Sequence, residues 1–327
     1  MERKLASIRI IKEIKPIESA DSIEVCKVDG WHCVIKKDEF KVGDMVIYCE
    51  IDSLMPHTDE RFEFLRPRRY RVRTIKLRGQ ISQGLILPVS YLPDISLIYE
   101  GMDVTEILGI TKYEPPIPAH LMGHIKGNFP THLVPKTDEE RVQNLQELLD
   151  EYNNHSISYT EKLDGSSHTS ILFDGEFRIC SRNMELLETE DNAYWKVARL
   201  EKVEEKLRKI NKNIAIQGEM IGFGIQGNKY ALKSIELWVY NVYDITNQKY
   251  YKNSEVIKFC KENGFKCVPY LGEFELTNDI DQLIEMARGK SNLNPKINRE
   301  GIVIRVTNSP DHVSFKAINP DFLLKYE

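Results

Sequence analysis

Ser158-Tyr-Thr-Glu-Lys-Leu-Asp-Gly-Ser-Ser-His168 places one lysine, Lys162, at the mouth of a tight turn beside Asp164 and Gly165, with β-prone residues on either side. Such a lysine is either a solvated cation at a strand end before an ordinary Asp-Gly turn, or a nucleophile. The four letters Lys-x-Asp-Gly alone favour the first. An ammonium near a pKa of about 10.4 is not nucleophilic at neutral pH, so the second requires burial, neighbouring cations or a metal to depress it. Gly165 lets backbone approach closely, and Ser166 and Ser167 add hydroxyl donors.

Downstream, four further elements follow in order. Ser181-Arg182-Asn183 ends a strand, where Arg182 is either a phosphate or ribose clamp or a strand-end charge. Gln217-Gly-Glu219 puts a carboxylate beside glycine, suited to a hydroxyl or a metal-bound water. Leu237-Trp-Val-Tyr-Asn-Val-Tyr-Asp244 is an aromatic strand from which one ring can stack on a purine while others pack the core. Arg299-Glu300-Gly301 opens an apolar strand, and Ser314-Phe-Lys316 sets a second lysine on the last strand.

Upstream, residues 1 to about 110 read as short strands: 6–11, 22–28, 31–35, 45–50, 70–77 and 84–88. A five-stranded, OB-like β-barrel of the oligonucleotide-binding type fits. Between Arg61 and Arg78 lie eight cations and a single acid, Glu63. In a strand over 70–77, Arg69, Arg71 and Arg73 share one face, either as a row of RNA phosphate contacts with Tyr70 placed to stack, or as the charges of a protected edge. Proline and glycine through 111–135 read as a linker. Thr137-Asp-Glu-Glu140 has capping-box form, predicting a helix over 138–152 with Arg141 in its first turn, opposed to the helix dipole. A long helix is predicted over 192–209, a hairpin around Asp174-Gly175, a flexible loop at Gly222–Asn228, and helices over 254–263 and 280–288. Helices and antiparallel strands mix without β-α-β alternation, so residues 136–327 are expected to form an α+β domain.

The chain has 327 residues, net charge −5 and 41% hydrophobic content. No run approaches the ~18 apolar residues of a spanning helix, and the charged start carries no apolar signal region, so a cytoplasmic protein is expected. Six scattered cysteines without a Cys-x-x-Cys pair point to reduced thiols, and eight histidines show no His-Glu-x-x-His spacing, so a metal is expected on oxygen ligands.

Taken together, the order Lys-x-Asp-Gly, Ser-Arg, Gly-Glu, aromatic strand, Glu-Gly, Lys resembles the covalent nucleotidyltransferase superfamily. Glu-Lys-Leu-Asp-Gly-Ser-Ser, Gly-Ile-Gln-Gly-Asn, Ser-Phe-Lys-Ala-Ile-Asn-Pro and Pro-Lys-Thr-Asp-Glu-Glu-Arg-Val-Gln-Asn look like the ATP-dependent RNA ligase family of Naegleria type. That family carries its OB-fold domain in front, whereas DNA ligases and capping enzymes carry theirs behind. Here eleven residues follow Lys316, so no OB-fold domain is expected behind it.

The resemblance implies Lys162 as nucleophile, ATP and a divalent ion (Mg or Mn) as cofactors, and Asp164, Glu219 and Glu300 holding the ion's waters. It implies Arg141 on the triphosphate, Lys316 on the α-phosphate, Arg182 on ribose or phosphate, and Glu161 with Lys162 among the nucleotide-binding residues. Tyr240 is preferred to Tyr243 for stacking on adenine because the family's ring is followed by Asp; Asn241 is the nearest substitute. Some relatives carry a second lysine two residues after the first in the last motif; Ile318 stands there, which makes Lys325 the candidate stand-in. The expected partner is RNA with 5′-phosphate and 3′-hydroxyl ends, nicked or broken, acted on by a monomer. A capping-type guanylyltransferase and a non-catalytic nucleic-acid binder are the competing readings.

Overall fold

The computed structural model describes residues 4–18, 20–114 and 124–326. The chain forms two compact units, Met1–Pro116 with Pro320–Glu327, and Ile117–Asn319. The first holds β1 (Ala6–Ile10), β2 (Glu13–Pro16), β3 (Ile23–Val28), β4 (Trp31–Lys36), β5 (Met45–Cys49), β6 (Ser53–Leu54), β7 (Thr74–Leu77), β8 (Gln80–Gln83), β9 (Leu85–Pro88) and β10 (Thr111–Lys112). They pair antiparallel as β1-β5-β9, β2-β3-β4, β7-β8 and β10-β6. Alternating residues turn inward, and Trp31, Tyr48, Ile8, Ile47 and Phe62 are fully buried. Gly84, at φ +125°, is required: a Cβ there would lie 2.3 Å from the Tyr48 ring.

The basic segment corrects the expected arginine row. Residues Glu60–Arg68 form a 3₁₀ helix seated by Phe62 and Leu65, and Arg69 and Tyr70 close it in the left-handed region at φ 53° and 61°. Only Thr74–Leu77 is strand. Arg69 is exposed, whereas Arg71 is drawn inward to Asp52 at 2.5 Å and lies 4.0 Å over the Tyr113 ring. The Tyr70 hydroxyl donates to Glu63 at 2.8 Å.

The second unit holds β11 (Ile125–Asn128), β12 (Glu140–Arg141), α1 (Gln146–Glu151), β13 (Ser156–Lys162), β14 (Ser166–Phe173), β15 (Glu176–Cys180), β16 (Met184–Leu186), α2 (Ala193–Leu200) and α3 (Val203–Ile210). β17 (Ile214–Gly222), β18 (Ile235–Asp244), β19 (Lys249–Tyr250), α4 (Asn253–Asn263), β20 (Lys266–Cys267), β21 (Tyr270–Glu275), α5 (Ile280–Ala287), β22 (Gly301–Val306) and β23 (Ser314–Ile318) follow. An eight-stranded sheet runs β11-β16-β15-β14-β17-β18-β19 with β20 also on β18; a five-stranded sheet runs β12-β23-β22-β13-β21. Apolar residues of α2, α3 and α4 pack on the larger sheet, and those of α1 and α5 on the smaller. α6 (Pro320–Tyr326) belongs to the first unit, so the tail does not fold with the domain that precedes it.

Three expectations change. The stretch expected to be linker supplies β11 and buries Phe129 and Val134 against Ile171 and Ala215; its 115–123 portion lies outside the described residues. The expected helix over 138–152 shrinks to α1, because Glu140 and Arg141 pair in parallel with Phe315 and Lys316. The long helix breaks in two at Lys202, which is left-handed at φ 52°. The Asp174-Gly175 hairpin forms, both residues at positive φ.

Candidate active site

The Lys162 turn is not a hairpin. β13 lies in the smaller sheet and β14 in the larger, so Leu163–Gly165 is the crossover between the two sheets. Gly165 allows it: a Cβ would meet the Met220 carbonyl oxygen at 2.3 Å and Ile221 Cγ2 at 2.6 Å. Leu163 anchors the crossover in a small cluster with Ile221, Tyr230 and Val268.

The carboxylates arrive on strands pairing with these two. Glu219 on β17 is opposite Ser167, and Glu300 precedes Gly301, which is opposite Lys162. Lys162 Nζ donates to Glu300 Oε1 at 2.7 Å. Asp164 is ion-paired to Lys229, and its backbone N–H donates to the Tyr230 hydroxyl at 2.7 Å.

Burial pushes the Glu219 carboxyl up to about 8; Lys162 opposes this while Glu300 and Asp164 reinforce it. Burial works to strip the Lys162 proton, yet Glu300, Glu219 and Asp164 outweigh it and hold the ammonium above its ordinary value. The sequence reading requires a depressed Lys162 for attack; the chain alone does the opposite, because three acids surround it. Within this site the depressed lysine is Lys316, pushed down to about 7 by burial and by the charges of Arg141 and Lys162, with Asp138 opposing. Arg141, Lys316 and Val303 lie side by side on β12, β23 and β22.

Other sequence-derived residues fall as follows. Arg182 is exposed and ion-paired to Asp138 at 2.7 Å. Tyr240 is the extra residue of a bulge in β18, since Gln217 pairs with Asn241 and Gly218 with Val239. Its hydroxyl lies 3.2 Å from Thr137 Oγ1, and burial with the nearby Glu219 charge pushes it up to about 12. Tyr243 is buried in the core against Ala215 and Ile171, 4.8 Å from the Tyr250 ring. Glu161 accepts the Asn292 backbone N–H at 2.8 Å and so fixes the loop before Glu300. Lys325 sits on α6, in the other unit.

Sequence reasoning missed two groups. Gln226, Lys229 and Tyr230 grip the Lys162 turn, with Gln226 Nε2 donating to the Gly165 carbonyl at 3.4 Å. Their signal is the Gly-Ile-Gln-Gly-Asn run, which the sequence reading takes as a flexible loop and as part of the family resemblance without giving any of its residues a role. The other is a buried chain of polar groups. Arg305 donates to Asn253 and, at 2.9 Å, to Asn241; Asn241 donates to Gln217 at 3.1 Å and Asn253 to Ser158 at 2.7 Å.

The donor set also bears on a metal. Glu300 Oε2 is buried without a hydrogen-bond partner, and Glu219 is crowded by two further acids, an arrangement that a cation relieves. Among the described residues no three His, Cys, Asp or Glu side chains are grouped to ligate one ion directly.

A family model described as RNA ligase matches residues 155–318, and one described as an OB-fold domain matches residues 5–89. Naegleria gruberi RNA ligase, solved as a lysine-to-alanine variant with ATP and Mn, is 44% identical with a TM-score of 0.91, covering 98% of this chain and 99% of its own. The same enzyme with PPi, and a lysine-to-methionine variant with AMP and Mn, match at 44% identity and TM-score 0.91, each covering 99% of both chains. No curated protein matches. With the lysine, the carboxylates and the second lysine assembled on two sheets behind an OB-fold domain, the chain belongs to the RNA ligase family.

Proposed function

We propose that this chain is an ATP-dependent RNA ligase that joins RNA 3′-hydroxyl and 5′-phosphate ends through lysyl-AMP and RNA-adenylate. The observation that carries the reading is Lys162 at the crossover between sheets, 2.7 Å from Glu300, with Lys316 held near neutral pKa among Arg141 and Arg182. Lys162 Nζ, once deprotonated, attacks the α-phosphorus of ATP; an N–P bond forms and pyrophosphate leaves. An oxygen of the RNA 5′-phosphate then displaces the lysine, and the 3′-hydroxyl oxygen displaces AMP. Each step is in-line displacement at phosphorus, so the chain's work is alignment and charge neutralisation.

Lys316 would gain its proton as the α-phosphate arrives, since a phosphate charge favours the ammonium. Arg141 beside it would hold the triphosphate, Arg182 the ribose or phosphate, and Tyr240 would stack on adenine. Glu161 would fix the loop that positions Glu300. A divalent ion, Mg or Mn, held through waters by Asp164, Glu219 and Glu300, would neutralise the triphosphate and lower the Lys162 pKa. We further propose nicked or broken RNA as substrate, with Arg69 among the RNA contacts, and a monomer working in the cytosol, where its six free cysteines stay reduced. Strand-panel sealing assays, light scattering and cell fractionation check these.

With α-labelled ATP and Mn or Mg, the protein is expected to become covalently labelled, and chelation or Lys162→Ala to abolish the label. A Lys162→Ala chain that still labels, or labelling by GTP in preference to ATP, rules the reading out.

A further inference from the structure

Phe223 stands in the loop joining β17 to β18, four residues after Glu219, and is 69% exposed, the most exposed of the described Phe, Tyr and Trp side chains. Exposure of a large ring costs hydration free energy that burial elsewhere would recover, so its place on a loop tip matters only if the loop is fixed. It is fixed. Gly222, at φ +110°, precedes it; a Cβ there would lie 2.2 Å from the Ser234 carbonyl oxygen. Gly224, at φ +82°, follows. The Ile225 N–H donates to Gly222 at 3.0 Å, and the Asn228 side chain both donates to and accepts from Leu232, at 2.9 and 3.0 Å. The same loop is fastened to the nucleophile turn by Gln226 on Gly165, Lys229 on Asp164 and Tyr230 on the Asp164 N–H. Asn294 Nδ2 donates to the Lys229 carbonyl at 2.9 Å and ties it to the loop before Glu300.

From this geometry we infer that Phe223 is a stacking platform for the nucleobase of the RNA nucleotide whose 5′-phosphate accepts AMP from Lys162. This inference rests on the RNA ligase reading. RNA ends present unstacked bases, and an exposed aromatic face takes any of the four without reading sequence. A ring held on the same framework as Lys162 and Asp164 orients the terminal nucleotide relative to the lysine-bound AMP. The flanking glycines add no side chain to block approach to either face.

The test uses the full chain, first loaded with labelled AMP, then given single-stranded 5′-phosphate RNA carrying either a normal or an abasic first nucleotide. Phe223→Ala is expected to adenylylate Lys162 at the wild-type rate but to transfer AMP to the normal strand less efficiently in kcat/KM by about 5- to 150-fold, the range one stacked base spans. The loss should lie mainly in the KM for RNA. Phe223→Trp should restore transfer, whereas Phe223→Leu, apolar without a π face, should not. Wild type should lose a similar factor on the abasic strand, and Phe223→Ala should lose little more. Unchanged transfer by Phe223→Ala, or a full further loss on the abasic strand, overturns the inference while leaving the ligase reading intact. A wild-type chain that neither labels nor transfers overturns both.

Discussion

Glu219 and Lys316 sit on opposite sides of their ordinary ranges, at about 8 and about 7, each because burial penalises its charged form. Between the ordinary 4.5 of glutamate and about 8, folded Glu219 keeps a proton that the unfolded chain has released, so its contribution to stability falls as pH rises through that window. Lys316 runs the other way: between about 7 and the ordinary 10.5 of lysine the folded state has lost the proton, so its contribution rises with pH and is lost as pH falls through 7. Glu219→Gln removes the first liability. The metal-free variant should be more stable than wild type at about pH 9, by about 1–3 kcal/mol, with the gap closing toward about pH 5. Scanning fluorimetry should show ~2–4 °C per kcal/mol. Added Mn should stabilise wild type more at the higher pH and the variant little at either. Equal melting of the two proteins at about pH 9 counts against a buried, reluctantly ionised Glu219. The positions of Lys162, Glu219, Glu300 and Lys316 were legible because residue type and order carry them. The charge state of Lys162 was not, since it depends on three acids that only the fold brings around it.

At the scale of elements, the buried chain from Ser158 through Asn253, Arg305 and Asn241 to Gln217 joins β13 and β22 of the smaller sheet to β17 and β18 of the larger, with α4 between. Arg305 has neutral amides as hydrogen-bond partners here, and burial lowers its pKa, so its fork geometry rather than an ion pair justifies its place. Arg305→Lys keeps the charge but cannot span both amides. The substitution should lower stability by about 1–3 kcal/mol, the cost of leaving a buried polar group unsatisfied. An unchanged urea midpoint for the full chain would show that the two sheets do not depend on this link. Such a link is invisible to periodicity, which finds strands but not what crosses between them. The same limit explains the misplaced helix start. Thr137 and Glu140 have capping-box identity, but Thr137 is spent on the Tyr240 hydroxyl, Glu140 accepts from Asn144 at 2.8 Å, and the backbone joins β23 instead. Tyr240 likewise leaves the alternation of its strand through a bulge, which no pattern of apolar residues announces.

At the scale of the whole molecule, an OB-fold unit precedes the RNA ligase unit in the chain, and the proposed function assigns adenylylation chemistry to Ile117–Asn319 and RNA backbone contact to the basic segment of the first unit. The eight cations between Arg61 and Arg78 were legible as a patch, but not their geometry, because the αL pair Arg69–Tyr70 and the pull of Asp52 on Arg71 override strand alternation. This separates two substitutions that look alike in sequence. Arg69→Glu, at an exposed position, should weaken RNA binding and reduce the slope of log affinity against log salt by about one. Folding and Lys162 labelling should be unchanged. Arg71→Glu sets like charges together at Asp52 and removes the guanidinium from Tyr113, so it should lower the melting temperature of the chain before any effect on RNA is read. Fluorescence anisotropy across a salt series, run beside thermal melts and α-labelled ATP assays, distinguishes them. If Arg69→Glu leaves the salt slope untouched, or cuts lysine labelling as deeply as RNA affinity, the basic segment is not the RNA contact and the two units do not divide the work in this way.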